Sequence, residues 1–538
     1  MNNSQQKKDI FAVLSIAALC LILYFNSLGN VFIFDDLHGI VDNLYIKNPK
    51  YIPLFFKGFY TSIPEIPKGM FRPLLLLTFS FNYFFSGLQP LGYHILNILL
   101  HFLNGILLYL ILKFLNKGSR SGILLSVCLL FIAHPINSET VTYISCRSDL
   151  LVAFLILSAF YSFVKNRIFL SGLLYILALL TKETALVYGL LPAAYLAFQN
   201  IVQREKPHKD KLILYFSALI LLAAAYWVYR SSILDVAIKD TFLPAASSRV
   251  RGFWPNIYLQ SVVSLFYLRL FVWPHSLTIH HYFPDNYSLF QPIVFTSLAI
   301  IGLIFIIILW VRKKYPLINL GLSWYFICLL PKFYGTLHFT AMEHHFYLPG
   351  IGIYIALAAG LKNCYEKYRR NFLFLISGIL GIFIILVWFR NYEWKDGLTL
   401  YKHTVKRAPN SAVARNNLGI EYSRLGLHQE AETEYKKALS LSHSTEVQLT
   451  CRINLAKIYA HKKMFSEALD ELSQAEIIKP SYSIIYQAYG AVYSQMGEKE
   501  KAEEILKKGL KFNPKSAGIL YNLGLLYIKK GKLKEAKE

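Results

Sequence analysis

Apolar stretches about as long as a bilayer is thick recur through the first ~390 residues of this 538-residue chain, and they limit its fold more than any other feature. A helical span needs about 20 mostly apolar residues, fewer where the bilayer is thin or the helix sits inside a bundle. Candidates run near 10–28, 91–116, 121–134, 149–165, 168–181, 184–199, 211–229, 291–311, 316–331, 346–361 and 371–389, eleven in all. Only 16% of the chain is charged, against about 25% in a soluble globular protein. The deficit ends near residue 400, where Lys, Glu and Ala take over. The sequence thus predicts an all-α protein: a polytopic transmembrane bundle over 1–390 and a water-facing helical unit over 391–538, joined near Asn391.

The formal net charge of +24 raises nucleic acid as a partner, but basic residues gathered in cytoplasmic loops explain it more simply. Lys7/Lys8, Lys113/Lys117/Arg120, Lys165/Arg167, Arg204 to Lys211, Arg312/Lys313/Lys314 and Lys362 to Arg370 all fall on one side of an eleven-span path. That side is then the cytoplasm, and the C-terminal unit is expected outside. The stretch Asn256 to Trp273 is apolar but would break this pattern if it crossed, so it is expected to lie interfacially or re-enter against the bundle. The first run follows Lys7 and Lys8, is long for a signal peptide and lacks an A-x-A cleavage pattern, so a retained span is expected. The six cysteines are scattered without a CxxC pair, which predicts neither a disulfide framework nor a zinc site.

Past residue 400 the chain repeats. Asn417-Leu418-Gly419…Tyr422…Gly426…Ala431 returns as Gly490…Tyr493…Gly497…Ala502 and as Asn522-Leu523-Gly524…Tyr527…Gly531…Ala536. Gly490 to Gly524 and Pro480 to Pro514 are each 34 residues apart, the tetratricopeptide period. A degenerate copy, Asn454-Leu455-Ala456…Tyr459…Ala468, lies between. Three repeats and the start of a fourth are expected, as an α-solenoid. A solenoid without a polar cap calls for further chain or a partner over its last copy.

The long polar loops gather on the expected outer face, and they carry the candidate chemistry. Asp35-Asp36 follows the first span directly, and acids at a bilayer edge are expensive unless used or paired. One of two adjacent carboxylates can take a proton while the other positions a group; a plain polar end to the helix is the alternative. His94, Asn97 and His101 share one helix face; structural hydrogen bonding is expected, with metal ligation the alternative, though no third strong ligand accompanies the two histidines. Glu139, Arg147 and Asp149 fill the next outer loop, Lys182-Glu183 the following one, and Glu343-His344 the last. Arg72, Lys182 and Arg269 are candidate phosphate binders, though each could pair with a neighbouring acid. No Walker loop, GxSxG or HExxH is present, which leaves ATPase, serine hydrolase and zincin readings without support.

The set Phe34-Asp35-Asp36, Phe71-Arg72-Pro73-Leu74, Gly92-Tyr93-His94…Asn97…His101, His134-Pro135…Glu139, Arg147-Ser148-Asp149, Lys182-Glu183 and Glu343-His344…Tyr347-Leu348-Pro349, followed by the repeats, resembles the TMTC-type protein O-mannosyltransferases, relatives of the GT-C glycosyltransferases. The resemblance implies a polyprenyl-phosphate sugar donor, mannose by default, used on the non-cytoplasmic face with inversion. It implies Asp35 or Asp36 as the base that deprotonates a protein Ser or Thr hydroxyl, basic residues led by Arg72 on the leaving phosphate, and no metal or cofactor. The repeats would hold the acceptor protein. The chain carries His345 where family members often have Arg. Its short repeat array and compact N-terminal region fit a bacterial relative, with the bundle in the cytoplasmic (inner) membrane. A non-catalytic membrane scaffold, and the same chemistry on a glycan or lipid, are the other readings.

Overall fold

The computed structural model describes residues 3–61, 70–116, 120–203, 209–234, 252–284, 287–334, 341–442 and 444–537. Lys117, Arg204 and Lys206 of the basic clusters, and parts of the outer loops at 62–69, 235–251 and 335–340, lie outside the described residues. Every regular element among the described residues is helical. The chain divides into two compact units, the first ending at Asp396 and the second running from Gly397. Asn391 lies inside the helix Arg369–Glu393, where its amide donates to Leu23 O (2.9 Å) and Asn26 Oδ1 (2.8 Å). It is therefore an interior residue of the first unit, and the boundary falls after it.

In the first unit, eight helices among the described residues are long and apolar enough to cross a membrane. They are Gln5–Ser27, Pro90–Leu115, Ile144–Val164, Glu183–Ile201, Lys211–Ile233, Pro292–Val311, Pro316–Phe333 and Arg369–Glu393. These coincide with eight of the eleven expected spans. The other three are shorter. Ser121–Ala133 bends by 49° into Pro135–Thr142 to form what is at most a ninth span, because Pro135 lacks the N–H that would continue the helix. Ile168–Leu179 and Tyr347–Gly360 have 12 and 14 residues. Phe253–Val272 is one continuous 20-residue helix, not a re-entrant hairpin; Leu259, Val263 and Tyr267 bury it against Tyr325 and Phe346. A helix inside the expected outer loop, Pro73–Ser86, opens with Pro at its first position, where the missing N–H costs nothing.

Two packing features set up the candidate loop residues. Leu74 N–H donates to Leu180 O (3.0 Å), which brings the start of Pro73–Ser86 to the turn carrying Lys182 and Glu183. Pro316–Tyr334 crosses Tyr347–Gly360 where Gly321 and Gly352 meet backbone to backbone; a Cβ at either would strike the other's carbonyl oxygen. Small residues allow such close approach between membrane helices, and this one seats Glu343 and His344 at the head of Tyr347–Gly360.

In the second unit the helix pairs are Ala412–Arg424 with His428–Leu441, Thr445–His461 with Phe465–Ile478, Ser483–Met496 with Lys499–Phe512, and Ala517–Lys529 with Leu533–Lys537. Gly419 packs on Tyr435 and Gly490 on Leu506 with no room for a Cβ, which is why small residues recur at helix crossings. The turn inside each pair needs a left-handed residue: Gly426, Gly497 and Gly531 have φ of 76°, 86° and 74°. In the degenerate copy that position is Lys463, held at φ 59°.

Candidate functional site

Asp35 and Asp36 are chemically alike in sequence and unlike in structure. Asp36 is 1% exposed. Its carboxylate accepts from Ser145 N–H (2.9 Å), Ser145 Oγ–H (2.5 Å) and Ile33 N–H (3.2 Å), so it ties residues 33–36 to the loop before the helix Arg147–Val164. Burial pushes its pKa up to about 7 against those three hydrogen bonds, and the neighbouring Asp35 charge adds to the rise. The side chain of Asp35 is 43% exposed, with His38 Nε2 4.0 Å from its Oδ1. Its backbone N–H donates to Tyr143 Oη (3.1 Å), and Tyr143 stacks on Trp394 with ring centres 5.1 Å apart. Phe34 just before it sits at φ +52°, strained for an aromatic residue, and a π-helical turn, Leu37–Val41, follows. The backbone thus turns Asp36 inward and Asp35 outward. Burial raises the Asp35 pKa, opposed by His38, the Tyr143 hydrogen bond, His344 and Arg72.

The expected cations are mostly paired. Arg72 donates to Glu183 through Nη2 (2.9 Å to Oε1) and Nε (3.4 Å to Oε2). Lys182 Nζ lies 2.7 Å from both oxygens of Asp149, and Ser148 Oγ–H adds a hydrogen bond to Asp149 (3.2 Å). Charge–charge influence links these pairs to the acid: Asp35 feels Arg72 and His344, and Asp149 feels Lys182, His344 and Lys332. Asp35 is thus within electrostatic reach of Arg72 and His344, and through them of the Glu183 and Asp149 pairs.

A second network backs it. His344 Nδ1 lies 2.6 Å from Glu139 Oε1. Glu343 accepts from Thr278 N–H (2.5 Å), His281 (3.1 Å) and Arg390 (3.1 Å), and Arg390 also holds Glu393 (2.7 Å). Glu139, Cys146 and His344 place potential metal-ligand atoms within 4.8 Å of one another. The Arg390 guanidinium, 4.0 Å from Glu139 Oε2, already brings positive charge to that spot.

The remaining expected residues serve the interior or stand apart. His94 Nε2 donates to Asn30 O (3.1 Å). Asn97 donates toward Val141 O (3.3 Å) and accepts from Arg147 Nε (2.9 Å). His101 Nε2 meets Ile132 O (3.2 Å), which fixes its proton there and leaves Nδ1 to accept from Tyr347 Oη–H (2.7 Å). Arg147 is fully buried; it bonds Asn97, Thr78 and Tyr93 O and lies 4.7 Å over the Phe79 ring. Arg269 is exposed over Phe266 (5.0 Å), in the last turn of its helix, where a cation suits the carbonyl ends. Sequence reasoning missed Lys332, Arg390 and Cys146. Arg390 stands at the end of a long apolar run, which conceals it.

Models of the tetratricopeptide repeat match residues 412–444, 484–516 and 505–538. Protein O-mannosyl-transferase TMTC3 of Mus musculus is 24% identical over 97% of this chain and 65% of its own length. Protein O-mannosyl-transferase F38B6.6 of Caenorhabditis elegans is 28% identical over 82% of this chain and 64% of its own. The chain thus spans about two thirds of the length of these curated relatives. Among solved structures, that of MamA is 29% identical over 26% of this chain and 80% of that one, with a TM-score of 0.22, a likeness too partial to bear on the fold. The ordered loop motifs, the apolar helices and the repeats converge with these similarities: over nearly its whole length this chain is a homologue of the TMTC-type protein O-mannosyltransferases, with tetratricopeptide repeats in its C-terminal region.

Proposed function

We propose that this chain is an integral-membrane glycosyltransferase that moves a sugar, mannose by family resemblance, from a polyprenyl-phosphate donor to protein Ser or Thr hydroxyls on the non-cytoplasmic face. The observation that carries the reading is the half-exposed Asp35 carboxylate past the end of the first apolar helix, with His38 4.0 Å away and Arg72 and His344 within electrostatic reach. Asp35 takes the proton from the acceptor hydroxyl. The acceptor oxygen then bonds to the sugar's anomeric carbon from the face opposite the leaving group. The bond from that carbon to the phosphate oxygen breaks, its electron pair leaves with the polyprenyl phosphate, and the configuration inverts. Arg72 and Lys182 supply electrostatic stabilisation around the leaving phosphate, while Glu183 and Asp149 hold them in place. Asp36 acts as a positioning residue, because its oxygens are spent on Ser145 and Ile33. Among the other candidates, Glu139, Glu343 and His344 build the wall behind Asp35, and His94, Asn97, His101 and Arg147 brace the helix Pro90–Leu115. No metal or cofactor takes part in this scheme. The repeats bind the acceptor protein, as tetratricopeptide arrays bind peptides, and the cytoplasmic membrane of a bacterium, with the repeats on its outer side, is the proposed location.

The purified chain incubated with a panel of radiolabelled polyprenyl-phosphate sugars tests this directly. Label is expected in protein, from the mannose donor foremost. Label found only in lipid or glycan would redirect the acceptor, and no transfer from any donor would remove the reading. A reporter fused at the C-terminus tests the sidedness separately, with an external signal expected.

A further inference from the structure

Lys332 sits one residue beyond Pro331 in the last turn of Pro316–Tyr334 and is 7% exposed. Arg72, Lys182 and Arg390 each hold a carboxylate. The Lys332 ammonium, among the described residues, has neither a hydrogen bond nor an ion pair. The charges acting on it are those of Lys182, Asp149 and Glu183. It is in turn the strongest charge on His345, ahead of His344, Lys182 and Arg72. Its backbone is pinned: Asn256 Nδ2 donates to Lys332 O (3.1 Å) and Phe333 O (2.9 Å), which satisfies carbonyls that a helix end leaves open.

A buried amine with nothing to bind is costly, and a fold that gained nothing from it would do better with a leucine or methionine. An anion at the site removes that cost. Three observations point to which anion. Lys332 ends a helix long enough to cross the membrane, the depth at which a lipid headgroup lies. It lies within electrostatic reach of Lys182, Asp149 and Glu183, members of two ion pairs whose cations are already neutralised. The half-exposed Asp35 carboxylate lies within electrostatic reach of Arg72 in one of those pairs.

We propose that Lys332 binds the phosphate of the polyprenyl-phosphate donor and stabilises it as it leaves. The assignment rests on the glycosyltransferase reading for its donor class. As the carbon–oxygen bond breaks, the phosphate passes from a singly charged diester to a doubly charged monoester. The ammonium, with three donors, therefore holds the transition state more tightly than the ground state. Arg72 and Lys182 frame the phosphate, and Lys332 brings a positive charge that no carboxylate pairs with directly.

The test is binding of polyprenyl phosphate to the full purified chain in nanodiscs, read by quenching of tryptophan fluorescence, with melting measured in parallel. Lys332→Met should weaken binding at least tenfold, about 1.4 kcal/mol, yet melt at or above wild type, since an unpaired buried amine is removed. Lys332→Gln should lose binding likewise. Lys332→Arg should stay within about threefold of wild type, because it keeps a charge-assisted contact. Wild-type affinity in Lys332→Met overturns the assignment. So does melting far below wild type in both Lys332→Met and Lys332→Gln, which would mark a structural lysine. Failure of the wild-type chain to bind polyprenyl phosphate, or displacement of the lipid by equimolar inorganic phosphate, also overturns it. A chain that binds polyprenyl phosphate through Lys332 yet transfers no sugar would sink the transferase reading and leave the phosphate site standing.

Discussion

Lys436 and Glu432, four residues apart on a repeat helix, pair at 2.7 Å with the lysine 56% exposed. Lys182 and Asp149, in the membrane unit, pair at the same 2.7 Å with side chains 8% and 13% exposed. The geometry is alike and the energetics are not. A surface pair contributes a few tenths of a kcal/mol and is screened by salt. A buried pair begins from the cost of dehydrating both ions, which a hydrophobic pair of the same volume would avoid. The repeat unit therefore uses charge to stay soluble and spends its packing on small residues and glycine turns. Among its described residues the membrane unit buries eight charged side chains, Asp36, Glu139, Arg147, Lys182, Lys332, Glu343, Arg390 and Glu393, where they are expensive, and the proposed chemistry lies among them.

Substitutions can break this contrast at several scales. Lys182→Met strands the Asp149 carboxylate, and the membrane unit should lose on the order of 3–5 kcal/mol, read by thermal unfolding; Lys182→Met combined with Asp149→Leu should recover most of it. If the single variant melts like wild type, the pair is no more than a surface pair drawn inward. In the repeats, Gly490→Val forces a side chain against Leu506 and should cost about 1–3 kcal/mol. Hydrogen exchange should show the loss in Ser483–Phe512 and the adjoining repeats, since solenoid stability is built from nearest-neighbour contacts. The smallest effect is expected at Lys463, held at φ 59°: Lys463→Gly relieves the left-handed strain and should gain a few tenths to about 1 kcal/mol, again by hydrogen exchange.

The repeats were legible because each constraint has its own residue: a glycine where φ is positive, a small side chain where helices cross. Lys463 makes one copy degenerate by filling the glycine turn with a strained residue. Eight spans were legible from length and apolarity alone. Pro73–Ser86 was not, because it is apolar but only 14 residues long, too short to stand out as a span. Within the site, Asp35, Arg72, Lys182 and Glu183 stood out as charges at a membrane edge. What the one-dimensional pattern could not separate was role. Asp35 and Asp36 are the same residue type side by side, and only the left-handed Phe34 and the Ser145 hydrogen bonds tell the proposed base from the proposed brace. Arg147 read as a possible ligand contact because nothing in the sequence shows that Asn97, Thr78 and Tyr93 consume its donors. Lys332 read as the first residue of a polar loop, whereas Pro331 leaves the helix unbroken for another turn.

The most direct test of the central claim, that the buried charge of the membrane unit serves glycosyl transfer from Asp35, is a comparison of Asp35→Asn with Asp36→Asn. Both variants should be purified at matched yield and assayed for sugar transfer from polyprenyl-phosphate mannose to protein across pH. Asp35→Asn should lose roughly 10²–10⁴-fold in rate. Asp36→Asn, whose amide oxygen can still accept from Ser145 N–H, should keep measurable transfer. In the wild type the acid limb should lie above the ordinary aspartate value of 3.8, because burial raises Asp35 and the base must be ionised to act. Transfer by Asp35→Asn at the wild-type rate would contradict the account.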